Sequence, residues 1–223
     1  MTKLNTQTLD ILKNFSSINS NLLVKAGEPI STISEAKNIM AIADVSSFDS
    51  TFGIYDLNEF ISMFGLMEDP ELHFSEDSVL FKSGRTQASY RFADPSILTT
   101  PKSKINMPST DLIVTITEEV LGQIRKAAGA LGHSILVISG SDGIVTLSVG
   151  DPKNPSANTF SVVIDENNSQ KASFDLHFLI GNLKVVPGDY AVEISSKLIS
   201  RWPNQSQPVQ YFIALEKTSS FNL

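Results

Sequence analysis

Short period-two alternation is the feature that most restricts what this chain can become. Apolar and polar residues take turns over 22–24, 39–43, 51–55, 78–81 and 88–92, and again over 112–116, 134–138, 144–149, 159–164, 190–194 and 209–215. Alternation puts one set of side chains on a buried face and the other in water, so each run reads as a strand of an antiparallel sheet. Turn chemistry separates the runs. Asp142-Gly143 lies between two of them with the residues a tight hairpin needs, and Pro187-Gly188-Asp189 precedes Tyr190 in the same manner.

Four stretches carry helical spacing instead. Residues 5–18 present Leu9, Leu12, Phe15 and Ile18, with Asn5 or Thr6 as N-cap. Residues 56–67 present Leu57, Phe60, Ile61 and Phe64, with Asp56 and Glu59 spaced as a capping box. Residues 117–131 present Val120, Leu121, Ile124, Ala128 and Leu131; residues 175–185 present Leu176, Leu179, Ile180 and Leu183. The order is helix, strands, helix, strands, then the same again. Short matches support a duplication: Tyr55-Asp56-Leu57 with Phe174-Asp175-Leu176, Tyr90–Ala93 with Tyr211–Ala214, and Leu9, Leu12 and Lys13 with Leu121, Ile124 and Arg125. Between the halves, 94–109 holds Pro95, Pro101 and Pro108 without periodicity, a semi-extended linker. The expected architecture is α+β, with two similar domains at 1–110 (linker 94–110 included) and 111–223, each with two helices packed on antiparallel sheets.

Composition removes several chemistries. None of the 223 residues is cysteine, which excludes disulfides, thiolate zinc sites, iron–sulfur clusters and cysteine nucleophiles, and suits a reducing cytosol. His73, His133 and His177 stand alone, without metal-ligand spacing, so no metal or cofactor is expected. No Gly-x-Gly occurs, so neither a dinucleotide fingerprint nor a phosphate-binding loop is present. Glu68, Asp69, Glu71, Glu76 and Asp77 cluster after a helix and around a short strand, which reads as a solvated rim rather than an acid/base pair. No catalytic residue is expected. The N-terminus is polar and amphipathic, and no run approaches the roughly eighteen apolar residues of a membrane span.

The formal charge of −7 divides as −4 over residues 1–110 and −3 over 111–223. Neither half is a basic arm, which excludes a protein that grips nucleic acid along its whole surface. Placement is more informative. Lys126 lies opposite the apolar stripe of the third helix, Arg125 flanks it, and Lys13 flanks the stripe of the first. On the fourth, His177, Gly181 and Lys184 form a polar face directed away from the core.

The collinear stretches Leu12-Lys13-Asn14-Phe15, Ile18-Asn19-Ser20, Ile54-Tyr55-Asp56-Leu57-Asn58, Ala93-Asp94-Pro95-Ser96, Asn182-Leu183-Lys184 and Pro187-Gly188-Asp189-Tyr190 resemble the DNA sliding clamps of T-even-type bacteriophages, the processivity factors of the replicative DNA polymerase. The resemblance runs over essentially the whole chain. It implies the DNA-clamp fold, assembled as a homotrimeric closed ring whose helices line a hole and whose sheets form the outer layer. Edge strands would join the subunits head to tail, with 88–92 and the stretch around Phe160 as candidates. The implied function is to encircle duplex DNA without reading its sequence and to tether the polymerase, inside the cytoplasm of the infected bacterial host. Lys13, Arg125, Lys126 and Lys184 are the expected DNA-facing residues, with Lys3 as a further candidate, and the second helix adds Glu59 but no cation. A clamp-loader ATPase is an implied partner, with late-transcription factors as further candidates. Partner peptides of such clamps dock in an apolar pocket, for which the linker offers Ile97, Leu98, Ile105 and Met107. The alternative is a β-rich phage structural protein, of virion or tail, without a tethering role.

Overall fold

The structure, a computed structural model, describes residues 3–45, 48–103, 105–154, 156–166 and 173–222. The chain forms two compact units, 1–104 with 208–210, and 105–207 with 211–223.

The first unit opens with helix α1 (Thr6–Ile18), followed by β1 (Leu22–Val24), β2 (Ile30–Ile33), β3 (Ile39–Ala43) and β4 (Phe52–Ile54). Asn5 is the N-cap of α1: its side chain accepts a hydrogen bond from Thr8 N at 2.7 Å. Helix α2 (Leu57–Ser62) is capped by Asp56, which accepts from Asn58 N and Glu59 N, and it tightens into a 3-10 turn at Met63–Leu66. Then come β5 (Glu71–Phe74), β6 (Ser78–Ser83) and β7 (Thr86–Arg91), an antiparallel meander with β7 outermost. α1 packs against α2, β2 and β3. Phe60 on α2 meets Phe81 and Tyr90 edge-on at 5.4 Å, which seats α2 on the β5–β7 sheet.

The second unit runs β8 (Leu112–Ile116), α3 (Glu118–Leu131), β9 (Ile135–Ser141), β10 (Ile144–Gly150), β11 (Phe160–Asp165) and β12 (Ser173–Leu179). After a 3-10 turn at Ile180–Asn182 it adds β13 (Tyr190–Ser195), β14 (Ile199–Pro203), β15 (Val209–Ala214) and β16 (Ser220–Asn222). One antiparallel sheet has the order β11-β10-β9-β12-β16, leaving β11 outermost, and β8, β13, β14 and β15 neighbour one another in a second. The Asp142-Gly143 hairpin forms as expected, with φ of 52° and 83°, the left-handed pair that matches strand twist. Trp202 is fully buried against Phe178 and Tyr190, and its indole N–H donates to Ser200 Oγ.

One expected helix is absent. Residues 175–185 are strand β12 to Leu179 and a 3-10 turn beyond it. β12 is paired on both sides, by β9 and β16, and Leu176, His177 and Phe178 are all buried. Residues 173–178 alternate polar and apolar as a strand should, but Leu176, Leu179, Ile180 and Leu183 run across the strand end and the 3-10 turn at i, i+3, i+4 and i+7, which imitates a helical stripe. The match of Asp56 to Asp175 fails with it, since Asp56 caps a helix and Asp175 lies within a strand. Among the described residues no helix is long and apolar enough to cross a membrane.

Candidate nucleic-acid interface

α1 and α3 are the two long helices, and burial aligns them. Thr8, Ile11 and Phe15 are buried in α1, as are Leu121, Ile124 and Ala128 in α3. This register is one residue longer than the identity match of Leu12 with Ile124. It sets Lys13 against Lys126, and Leu12, rather than Lys13, against Arg125. Lys13 and Lys126 are both exposed at this shared outward position. Lys13 pairs with Asp10 one turn earlier at 3.2 Å, an exposed contact of little energetic weight.

Arg125 is engaged differently. Its Nη2 donates to the carbonyls of Leu183 at 2.8 Å and Val185 at 3.3 Å. These carbonyls flank Lys184, which is exposed while Leu183 and Val185 are buried. The same segment is held from below, where Tyr190 donates its hydroxyl to Val186 O at 2.6 Å and Val186 N donates to the Tyr211 hydroxyl at 3.1 Å. Burial pushes the Tyr190 phenol up to about 12, against the pull of an Asn204 hydrogen bond and the Arg125 charge, and it raises Tyr211 as well. Both therefore stay protonated. At the far end of the segment, the Asp189 carboxylate accepts from Glu118 N at 2.8 Å, filling a free donor at the start of α3. The structure thus brings Arg125 and Lys184 together on unit 2, with Lys126 next along the helix. Asp189, Tyr190 and Tyr211 support this site without standing out in the sequence; the Pro187-Gly188-Asp189 turn leading into Tyr190 is the signal that points to them.

The other candidates fall elsewhere. Lys3 pairs with Asp69, which holds its ammonium pKa above the ordinary value. His177 is not on an outward polar face: it is 5% exposed within β12, with Nδ1 against Thr218 Oγ1 at 2.7 Å and Nε2 against Asp175 at 3.2 Å. In the acidic cluster, Asp77 is drawn below the ordinary carboxylate range by hydrogen bonds from Ser78 and Ser75, the reverse of what a general acid needs. Among the described residues no group of three histidines and carboxylates is placed to hold a metal ion. Of the linker residues, Ile97 and Leu98 belong to the first unit and Ile105 and Met107 to the second. Ile97 is 60% exposed, whereas Leu98 packs so closely on Gly53 that a Cβ there would lie 2.8 Å from Leu98 Cδ1.

No protein-family model matches the chain. Individual relatives do. The sliding clamp of Vibrio phage KVP40 is 33% identical over 222 residues, covering 96% of this chain and 99% of that one. This chain belongs to the sliding-clamp family. The sliding clamp of Escherichia phage RB69 is 28% identical over 228 residues, covering 98% of each chain. Among solved structures, A. fulgidus PCNA bound to the C-terminal region of FEN-1 superimposes with a TM-score of 0.71 at 14% identity, over 95% of this chain and 96% of that one. Caulobacter crescentus pol III beta gives 0.67 at 12% identity, over 98% of this chain and 67% of that one. The DNA-clamp fold expected of a sliding clamp is therefore the one observed. The reading as a virion or tail component finds no support.

Proposed function

We propose that this chain is one subunit of a closed, three-subunit ring that encircles duplex DNA and tethers a replicative DNA polymerase to it. The observation that carries the reading is the shared outward position of Lys13 and Lys126 on the two repeated helices, in a chain of net charge −7. A threaded ring cannot leave DNA without opening, so it needs only weak attraction to phosphates, independent of sequence, and strong binding would hinder sliding. A few cations turned to the hole serve this, while negative charge outside repels phosphates within a Debye length of about 8 Å. Lys13, Lys126 and Lys184 supply the attraction, with Arg125 at the base of the Lys184 segment. The outer edges of β7 and β11 are the strands that join subunits head to tail.

The ring acts without catalysis of its own. A clamp-loader ATPase opens it, in the cytoplasm of the infected bacterial host, and late-transcription factors share its partner surface. Partner peptides meet the apolar linker residues, of which Ile97 is the most accessible. A polymerase C-terminal peptide titrated against Leu98→Asp and Ile105→Asp tests that placement, and unchanged affinity in both moves the pocket elsewhere.

Solution mass combined with retention on nicked circular duplex, after loading, tests the ring itself. Three chains per particle and retention lost when the circle is linearised are expected. A monomer, or equal retention on both forms, overturns the proposal.

A further inference from the structure

The two bonds from Arg125 to the 183–185 backbone separate its role from that of the neighbouring lysines. We propose that Arg125 is a positioning residue for Lys184 and not a phosphate contact in its own right. The inference rests on the DNA-encircling function proposed above.

The backbone beyond the 3-10 turn at Ile180–Asn182 is irregular, with Leu183 at ψ 51°. Its carbonyls accept from a side chain where a helix would have paired them internally. The Arg125 guanidinium binds both from one nitrogen, on either side of Lys184. Lys184 is thereby held outward between two buried neighbours. Tyr190, Tyr211 and Asp189 fix the following residues, and Arg125 joins the Leu183 N to Ile180 O bond in restraining the part of the segment that carries the cation.

The repeat supplies an independent observation. The α1 residue corresponding to Arg125 is Leu12, apolar and 1% exposed. The position is thus buried on α1 but exposed on α3, where the guanidinium folds back onto the 183–185 carbonyls, and the repeated outward charge belongs to the next residue, Lys13 or Lys126. Arginine suits a half-solvated position facing two carbonyls, since it spreads several donors over a planar group and is weakly hydrated.

The test combines backbone hydrogen exchange of the free protein with binding to a short linear duplex across a salt series. It uses Arg125→Ala, Arg125→Lys, Lys184→Ala and the Arg125→Ala/Lys184→Ala double variant. Lysine keeps the charge but reaches less far and lacks the planar fork. Exchange at 183–185 should rise about tenfold in both Arg125 variants while β9 and β10 keep their protection. Lys184→Ala should lower the slope of log affinity against log salt by about 0.9 for each phosphate that is no longer neutralised, with Arg125→Ala alike and the double variant no lower. Additive losses, wild-type DNA binding by Arg125→Lys, or unchanged exchange in both Arg125 variants would overturn the tether. A wild-type slope for Lys184→Ala would instead remove Lys184 from the DNA face, and the proposal with it, whatever the exchange shows.

Discussion

In the first unit a helix packs against a helix; in the second the corresponding helix faces an irregular segment. α1 contacts α2, whose first backbone donors are met by Ser20 O and the Asp56 side chain, and Leu12 is buried on α1. α3 faces residues 183–189, whose backbone offers carbonyls, and Arg125 stands where α1 has leucine. The same scaffold position is thus apolar and buried on α1, and cationic and exposed on α3, where it donates to the irregular segment's backbone. That difference gives the second unit the exposed lysine of its irregular segment, Lys184, while α2 contributes Glu59 in the comparable stretch and no cation.

Removing the apolar residue on α1 has the largest expected consequence. Leu12→Ala deletes a fully packed side chain and should cost about 2–5 kcal/mol in chemical unfolding, the range for buried leucines. A loss below about 1 kcal/mol would mean that α1 does not depend on this side chain. Arg125→Leu gives α3 the residue that α1 has. It leaves two carbonyls without their donor and should cost about 1–3 kcal/mol by the same measurement. A gain in stability would show that burial at this position outweighs the hydrogen bonds, and the contrast between the units would lose its physical basis.

Legibility follows the same contrast. α1 and α3 are readable in the sequence because each buries one stripe, and the Asp142-Gly143 hairpin because its left-handed pair demands those residues. β12 reads as a helix because Leu176, Leu179, Ile180 and Leu183, which straddle the strand end and the 3-10 turn, fall at helical spacing. β14 is hidden for a subtler reason: its inward residues are Ser200 and Trp202, and the serine is buried because it accepts from the Trp202 indole and donates to Ile213 O. A polar residue at a core position conceals a strand from any apolar pattern. At the candidate site, Lys13 and Lys126 follow from helix geometry alone. The Arg125 tether does not, because its acceptors lie 58 and 60 residues further along, in the segment whose spacing imitates a helix.

The two units also differ in how their helices start. α2 is capped locally by Asp56, whereas α3 has its own Thr117 and, in addition, Asp189 reaching back from the irregular segment. Asp189→Ala should destabilise the second unit by about 0.5–2 kcal/mol, the range for removal of a cap. It should also raise exchange near Glu118. If exchange at the start of α3 is unaffected, Thr117 alone holds it and the far end of the segment is not anchored there.

The smallest expected effect is a pH dependence near the linker ends. Asp111 accepts from Ser196 N at 2.7 Å and from the hydroxyl of Ser109 at 3.0 Å, and its pKa is lowered chiefly by the Ser196 hydrogen bonds. Asp94 is lowered as well, by Ser96 alone. A folded pKa below the unfolded one means stability that is fully present above the unfolded value, about 3.9 for aspartate. It is lost as pH falls through the depressed folded value. Both carboxylates therefore shape the acid limb of the stability curve and leave its slope near neutral pH unchanged. Asp111→Asn should flatten that limb more than Asp94→Asn, because Asp111 gathers donors from 109 and from 195–196 while Asp94 closes only its own local turn. Unfolding midpoints for both variants, followed downward from neutral pH, check the order. Equal flattening would show that the local turn at Ser96 is worth as much as the network that ties 109–111 to the β13–β14 turn.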